Sequence, residues 1–256
     1  MGPDFNRKGI EIMAFGPDDR TQSRAHHMDA RMAQAAGIDV GLRAYMLRVY
    51  NYMASALALT GAIAYLTANN ETMVQMIFGT GLSWIVMLSP LAFVMVLSFG
   101  INRMKASTAQ AIFWVFAAVM GLSMASIFLQ FTGASVARVF FITAGTFAGM
   151  SLWGYTTKKD LSGFGSFLMM GLIGIIIAMV VNIFLQSSAL HFTISAVGVL
   201  VFVGLTAYDT QRIKSLYLES DGSETMSKKA IMGALTLYLD FINLFVMLMQ
   251  LLGDRR

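Results

Sequence analysis

Long apolar segments without charged residues alternate with short charged segments along most of the chain. Segments free of Asp, Glu, Lys and Arg cover residues 49–70, 72–102, 106–137, 139–157 and 161–208. A further apolar segment, 230–253, is interrupted only by Asp240. A helix needs roughly 20 apolar residues to cross a bilayer core about 30 Å thick. The segment 161–208 is therefore long enough for two spans, and the polar residues 186–188 mark the break between them.

This pattern predicts an all-α membrane protein with seven transmembrane helices. Backbone groups in lipid must pair within the segment, which favours helices, and the short alternating segments of a β-barrel are not visible. The predicted spans are approximately 49–68, 82–101, 109–130, 137–157, 164–185, 192–211 and 231–252. Pro90 should kink the second span because it lacks an amide hydrogen. Gly145 and Gly149 have the spacing of a close helix contact in the fourth span.

The composition supports the membrane assignment and excludes several other classes. The 256 residues are 57% hydrophobic and 12% charged, with a mean hydropathy of +0.66, which is far more apolar than a soluble domain. The absence of cysteine excludes disulfides, thiolate metal sites and a cysteine nucleophile. Residues 1–41 are polar and predict a cytoplasmic, largely disordered segment, and residues 42–256 form the predicted seven-span domain.

Positively charged residues indicate the orientation of the spans. They concentrate in residues 1–48 and in alternate loops, at Arg103, Lys105, Lys158, Lys159, Arg212, Lys214, Lys228 and Lys229. These segments should be cytoplasmic by the positive-inside rule, so the net charge of +4 reports topology and not nucleic-acid binding. The N-terminus is then cytoplasmic, and we expect a bacterial inner membrane because no organelle-targeting feature is present.

The C-terminal tail is an exception to this charge pattern. A seventh complete span would place residues 254–256, which include Arg255 and Arg256, on the external side. The positive-inside preference would keep these residues in the cytoplasm. A re-entrant last helix is therefore an alternative to a complete span.

Asp209 and Asp240 are the two acidic residues inside the predicted spans. Asp240 lies about 13 Å along the last helix from Ile231, at about 1.5 Å per residue. A carboxylate at the centre of the bilayer costs roughly 2.5–3.5 kcal/mol, so it must be paired, hydrated or protonated. Polar and sulfur-bearing residues share one face of this helix: Thr236, Asp240, Asn243, Met247 and Gln250. A weaker stripe on the sixth helix consists of Ser195, Gly198, Phe202, Thr206 and Asp209.

The two acids lie on consecutive antiparallel helices, so their carboxyl groups are able to meet. Carboxyl groups within hydrogen-bond distance share a proton and titrate as one unit, which is a way to sense pH. The structural alternative is that Asp209 caps its helix or pairs with Arg212, and that Asp240 is a hydrogen-bonded packing residue. Arg103 and Lys105 are either topology signals or a latch for a carboxylate.

Two sequence segments resemble a known family. Residues 234–245 read Ala-Leu-Thr-Leu-Tyr-Leu-Asp-Phe-Ile-Asn-Leu-Phe, and residues 205–211 read Leu-Thr-Ala-Tyr-Asp-Thr-Gln. Together they resemble the signature of the transmembrane Bax inhibitor motif family. The resemblance implies six helices wrapped around a central seventh, and a pH-sensitive calcium leak governed by an aspartate pair that matches Asp209 and Asp240. It also implies a basic latch near Arg103, although Asn102 and Met104 interrupt the basic run here and no Glu stands in the second span.

Three functions are compatible with these residues, and the leak channel is the leading hypothesis. Asp209 and Asp240 offer the hard oxygen ligands that calcium prefers, and the candidate ion path follows Thr206, Thr236, Asn243 and Gln250. The alternative is a regulatory membrane protein that binds other membrane proteins in stress or cell-death control. An intramembrane aspartyl protease fits least, because Leu237-Tyr238-Leu239 stands where such proteases have Gly-x-Gly before the second Asp. We therefore expect no enzyme activity and no cofactor other than calcium as a bound or transported ion.

Overall fold

The computed structural model describes the backbone of residues 19–256 and the side chains of residues 40–256. Over this part of the chain it has eight helices: α1 (Asp19–Ala68), α2 (Glu71–Phe78), α3 (Leu82–Gly100), α4 (Ala106–Gln130), α5 (Gly133–Thr156), α6 (Ser162–Leu185), α7 (Ser188–Ser215) and α8 (Ser223–Leu252). All except the short α2 are long and apolar enough to cross a membrane, with the first span running from Val40 to Ala68. The predicted all-α class with seven transmembrane helices is confirmed.

The N-terminal segment is described only in part. Residues 1–18 lie outside the described residues, and α1 begins at Asp19, inside the region for which the sequence predicts little order. Residues 42–256 form one compact unit. The assignment of residues 1–41 as a cytoplasmic, largely disordered segment stays a prediction.

The C-terminal helix α8 is the centre of the bundle. In its most apolar stretch 72% of the residues are buried, against 11% in the corresponding stretches of α3 and α6. Helices α4, α5 and α7 pack directly on α8, whereas α6 packs on the outside of α7 and α3 mainly on α4. The predicted arrangement of six helices around a central seventh is confirmed.

The two ends of α8 show that it crosses the whole bundle. Near its start, Glu224 accepts a hydrogen bond of 2.7 Å from the Ala106 amide at the beginning of α4. Beyond its other end, the Asp254 carbonyl accepts a hydrogen bond of 3.0 Å from the Thr132 amide, just after the end of α4. The start of α8 therefore lies beside the start of α4, and the end of α8 lies beside the end of α4. This geometry supports a helix that crosses the membrane completely, and it does not favour a re-entrant helix.

Pro90 leaves a free carbonyl inside α3, and a neighbouring helix binds it. Proline has no amide hydrogen for the carbonyl four residues earlier, which belongs to Val86. The Ser123 hydroxyl of α4 donates a hydrogen bond of 2.7 Å to the Val86 oxygen, and the Ser89 hydroxyl donates another of 3.0 Å. Such side-chain donors make a proline tolerable in a membrane helix. The predicted kink itself stays a prediction.

Close helix packing occurs at glycines other than the predicted pair. Gly145 and Gly149 are exposed, and a Cβ added to either would meet no atom within 4 Å, so the predicted contact at these residues is wrong. Gly154 of α5 instead lies directly against the Ala207 backbone of α7, and Gly165 of α6 lies against the Tyr208 ring. The spacing of Gly145 and Gly149 fits a helix contact, but that face of α5 points away from the bundle.

Gly154→Ala should destabilise the bundle, because the new methyl group would overlap the Ala207 carbonyl of a buried backbone. Overpacking of this kind costs about 1–3 kcal/mol, so the unfolding midpoint in detergent should fall by at least about 3 °C. The control is Gly149→Ala, which has open space and should leave the midpoint unchanged or slightly higher. Equal midpoints for the two variants would contradict the packing described here.

Ser123→Ala should lower the free energy of unfolding by about 1 kcal/mol, because it removes a donor to the Val86 carbonyl. In a Pro90→Ala background the amide hydrogen of residue 90 is restored and can donate a hydrogen bond to the Val86 carbonyl. The same serine substitution should then cost less than about half as much. A double-mutant cycle measured by thermal unfolding checks this, and strictly additive costs would rule out the exchange.

Candidate functional site

The two membrane-embedded acids meet between the last two helices. The carboxyl groups of Asp209 on α7 and Asp240 on α8 lie side by side, close enough to share a hydrogen bond and to act on each other's charge. Both residues are buried, with exposed fractions of 8% for Asp209 and 6% for Asp240. The structure therefore brings together the two residues that the sequence singles out.

Few other polar groups reach this pair. Asp240 Oδ2 is buried and has no hydrogen-bond donor, and neither carboxyl forms an ion pair within the described residues. Arg212, one helical turn beyond Asp209 on α7, is close enough to act on the Asp209 charge. Two ionised carboxylates in contact repel each other, so one shared proton is the simplest way to hold them together.

The predicted latch residue does not contact the acid pair in this structure. Arg103 is exposed in the turn between α3 and α4, and it forms no ion pair among the residues described. Its turn is joined to the start of α8 through the contact between Ala106 and Glu224. The role of Arg103 as a latch stays a prediction.

The polar residues of the candidate ion path mostly bond to their own helices. The Thr206, Thr236 and Asn243 side chains donate to carbonyls one turn earlier, at 2.8, 3.1 and 2.8 Å. Thr236, Asn243 and Gln250 are half-buried and follow one face of α8, whereas Thr206 is fully buried. The face of α8 that they share is therefore only partly covered by its neighbours.

Gln250 stands at the far end of this face of α8. Its Oε1 atom lies 3.1 Å from His191 Nε2 on α7 and 3.3 Å from the Arg255 guanidinium. Residue 247 of the predicted stripe is placed differently, because the Met247 side chain packs against Gly198 of α7. The predicted stripe thus divides into two parts. Thr236, Asn243 and Gln250 form a partly exposed polar edge, and Asp240 and Met247 are buried.

A hydrogen-bond chain that the sequence pattern does not reveal leads to the helix turn carrying Asp209. The Thr210 hydroxyl donates to the Thr206 carbonyl at 2.7 Å. Its only hydroxyl hydrogen is then used, so Ser151 donates to Thr210 at 2.8 Å and Tyr50 donates to Ser151 at 2.6 Å. The chain connects α1, α5 and α7 in a fixed direction.

A second chain connects α8 to α1 and α4. The Thr60 hydroxyl donates to the Ala117 carbonyl at 2.8 Å, which leaves its oxygen to accept from the Tyr238 hydroxyl at 2.7 Å. Tyr238 is fully buried and stands two residues before Asp240. Its place in the signature segment is the one sequence signal for this contact. Nothing in the sequence pattern indicates its partner Thr60.

The sequence comparisons agree with the signature. The family described as "Inhibitor of apoptosis-promoting Bax1" matches residues 42–256. The chain belongs to this Bax inhibitor family. The predicted resemblance is confirmed, and the family match begins at Leu42, at the start of the compact unit.

Several bacterial proteins are similar to this chain over most of their length. An uncharacterized protein of Rickettsia prowazekii is 51% identical over 218 residues, which cover 85% of this chain and 92% of that protein. An uncharacterized protein of Caulobacter vibrioides is 46% identical over 229 residues, covering 86% and 92%. The inner membrane protein YbhL of Escherichia coli is 47% identical over 219 residues, covering 84% and 94%.

The family signature occupies the most protected part of this Bax inhibitor family member. Residues 234–245 lie in the middle of α8, where most side chains are buried. Residues 205–211 lie on α7, beside Gly154 and Gly165. Because glycine has no side chain, α5 approaches the α7 backbone at Ala207, and α6 approaches the Tyr208 ring, next to Asp209. Asp209, the member of the acid pair on α7, therefore lies in a tightly packed part of that helix.

Ser151→Ala should destabilise the protein by about 1–3 kcal/mol, because it leaves the half-buried Tyr50 hydroxyl without its acceptor. Thr146→Ala, on the same helix, is the matched control, since the Thr146 hydroxyl donates only to its own helix at Ile142. Thermal unfolding in detergent measures both. Adding Tyr50→Phe should recover part of the loss caused by Ser151→Ala, and no recovery would contradict the proposed direction of the chain.

Proposed function

We propose that this protein is a pH-sensitive calcium leak channel whose gate is the pair of carboxyl groups of Asp209 and Asp240. The observation that carries the proposal is their side-by-side position between two transmembrane helices, where neither forms an ion pair within the described residues. Membership of the Bax inhibitor family supports it. Ionisable residues within a membrane generally mark ion paths or proton relays.

The gating step follows from electrostatics. While the pair shares one proton, a hydrogen bond joins α7 to α8 and the helices stay together. When that proton leaves, the two carboxylates repel each other; two unit charges at about 4 Å and an effective dielectric constant near 20 generally repel by roughly 4 kcal/mol. An energy of that size shifts a two-state equilibrium by about a thousand-fold, so loss of the proton separates the helices and opens the path.

The same ionisation creates an attractive site for calcium. The two carboxylates supply hard oxygen ligands with the charge to match a divalent cation. No group of three or more acidic or histidine side chains occurs within the described residues, so backbone carbonyl oxygens and water would complete the coordination shell. Such a sparse ligand set suits a permeating ion, which must bind weakly enough to leave. The half-buried face of α8 with Thr236 and Gln250 continues the path.

The proposed setting is a bacterial inner membrane. The similar protein YbhL of Escherichia coli carries that description, and the loop charges of this chain favour a cytoplasmic N-terminus. In this orientation Asp209 and Arg212 lie near the cytoplasmic end of α7. Cytoplasmic pH is then the variable that the acid pair senses, and Arg103 faces the same side as a candidate latch.

Calcium uptake into proteoliposomes loaded with a calcium-sensitive dye tests the proposal. For the wild type we expect flux to rise as pH rises, because deprotonation both separates the acids and creates the cation ligands. Asp240→Asn should remove at least about 80% of this pH dependence, since an amide cannot share the proton or become charged. Asp209→Asn should act in the same way.

The matched control is Asp254→Asn, a substitution of the same kind at an exposed residue outside the spans. Its side chain is 64% exposed and pairs only with Arg138, so the pH profile should stay unchanged. Wild-type protein without calcium flux at any pH would reject the leak. The regulatory alternative, in which the acids only pack α7 against α8, would then account for the contact.

A further inference from the structure

A basic pocket lies at the end of α7, away from the acid pair. It has a volume of about 360 Å³ and is formed by the α5–α6 loop, the start of α6 and the last turns of α7. Lys158, Lys159 and Arg212 line it, and their side chains make no hydrogen bond or ion pair among the described residues. Three cationic groups therefore line one concave surface without a partner in the part of the chain that the structure describes.

The pocket is held in shape by the protein itself. The Gln211 side chain donates a hydrogen bond of 2.8 Å to the Lys159 carbonyl and accepts one of 2.9 Å from the Leu161 amide. These two bonds fasten the α5–α6 loop to α7, so the lysines of the loop stay beside Arg212. A ligand thus finds the backbone of the site already ordered, which reduces the entropy cost of binding.

The charge of the pocket selects an anion. Its only acidic residue is Asp160, whose Oδ1 atom accepts hydrogen bonds of 2.6 and 2.9 Å from the Ser162 hydroxyl and amide. These bonds lower the pKa of the Asp160 carboxyl and keep it ionised. Three positive charges against one negative charge leave an excess that suits a phosphate group, which accepts hydrogen bonds from lysine and arginine.

The location of the pocket favours a lipid as the source of that phosphate. Helix α6 lies at the periphery of the bundle, and only 11% of its most apolar stretch is buried. In its first two turns Phe164 and Phe167 are 45% and 64% exposed. The cationic pocket therefore adjoins an apolar surface at the level where the spans end. A phospholipid has this combination of an anionic head and apolar chains.

We propose that this pocket binds the phosphate of an anionic phospholipid, whose acyl chains lie along the exposed face of α6. Lys159 and Arg212 contact the phosphate oxygens, and Lys158 adds to the positive field. Basic pockets between transmembrane helices on the cytoplasmic side of a membrane are suited to such head groups. Binding itself does not depend on what the acid pair does.

The site also offers a route by which lipids regulate the proposed gate, and this consequence rests on the proposed function. Arg212 lies one turn beyond Asp209 and acts on its charge. A phosphate that engages the Arg212 guanidinium weakens that influence and favours the shared proton. Anionic lipid should then shift the pH profile of calcium flux toward higher pH, whereas a protein without flux would still bind the lipid.

Native mass spectrometry of the full-length protein in detergent tests the binding. We expect phosphatidylglycerol to bind more tightly than zwitterionic phosphatidylcholine. The double variant Lys159→Gln with Arg212→Gln should weaken phosphatidylglycerol binding about ten-fold or more. The matched control, Lys105→Gln with Lys228→Gln, removes the same charge from two residues outside the pocket and should bind as the wild type does.

Three outcomes would overturn the proposal. They are unchanged phosphatidylglycerol binding in the double variant, an equal loss in the control variant, and displacement of the lipid by inorganic phosphate at equal concentration, which would identify a soluble anion as the ligand. If the double variant does not fold, the single variants Arg212→Gln and Arg212→Lys replace it. The lysine variant, which keeps the charge, should retain most of the affinity that the glutamine variant loses.

Discussion

The carboxyl group of Asp240 lies near the middle of a helix that has to cross the membrane, where an exposed charge costs roughly 2.5–3.5 kcal/mol. This cost is avoided when the helix is surrounded by protein and when the carboxyl group finds a partner. Both conditions are met, because α8 is the most buried span of the bundle and Asp209 of α7 supplies the contact. The central position of α8 and its pairing with α7 therefore meet the requirements of this one polar group.

Other polar groups in the bundle obey the same constraint. The Val86 carbonyl freed by Pro90 is bound by Ser123, and the hydroxyl of Tyr238 is bound by Thr60. Each such bond joins two different helices, because lipid offers no water to satisfy these groups. These hydrogen bonds thus specify which helices pack together. The apolar surfaces of the helices give little such specificity by themselves, because lipid is equally apolar.

The proposed gate and the proposed lipid pocket lie on one helix. On α7 the buried Asp209 faces α8, while Arg212 one turn later faces the pocket beside α6. Just before these two residues, Gly154 of α5 lies against the Ala207 backbone and Gly165 of α6 lies against the Tyr208 ring. Both neighbouring helices therefore pack closely against this part of α7. A change in the charge of the pair and a lipid at the pocket act on the same short segment.

The sequence by itself determined the number and type of spans, the two membrane-embedded acids and the family, because apolar length, the cost of charge in lipid and a long ordered signature are local properties of the chain. Only the tertiary structure decided which groups touch. It placed Gly145 and Gly149 on the outside of α5 and made Gly154 a contact, since equal spacing does not reveal which face of a helix points inward. It paired Tyr238 with Thr60, 178 positions apart, and closed the pocket around Arg212, because contacts between distant residues depend on how whole helices pack.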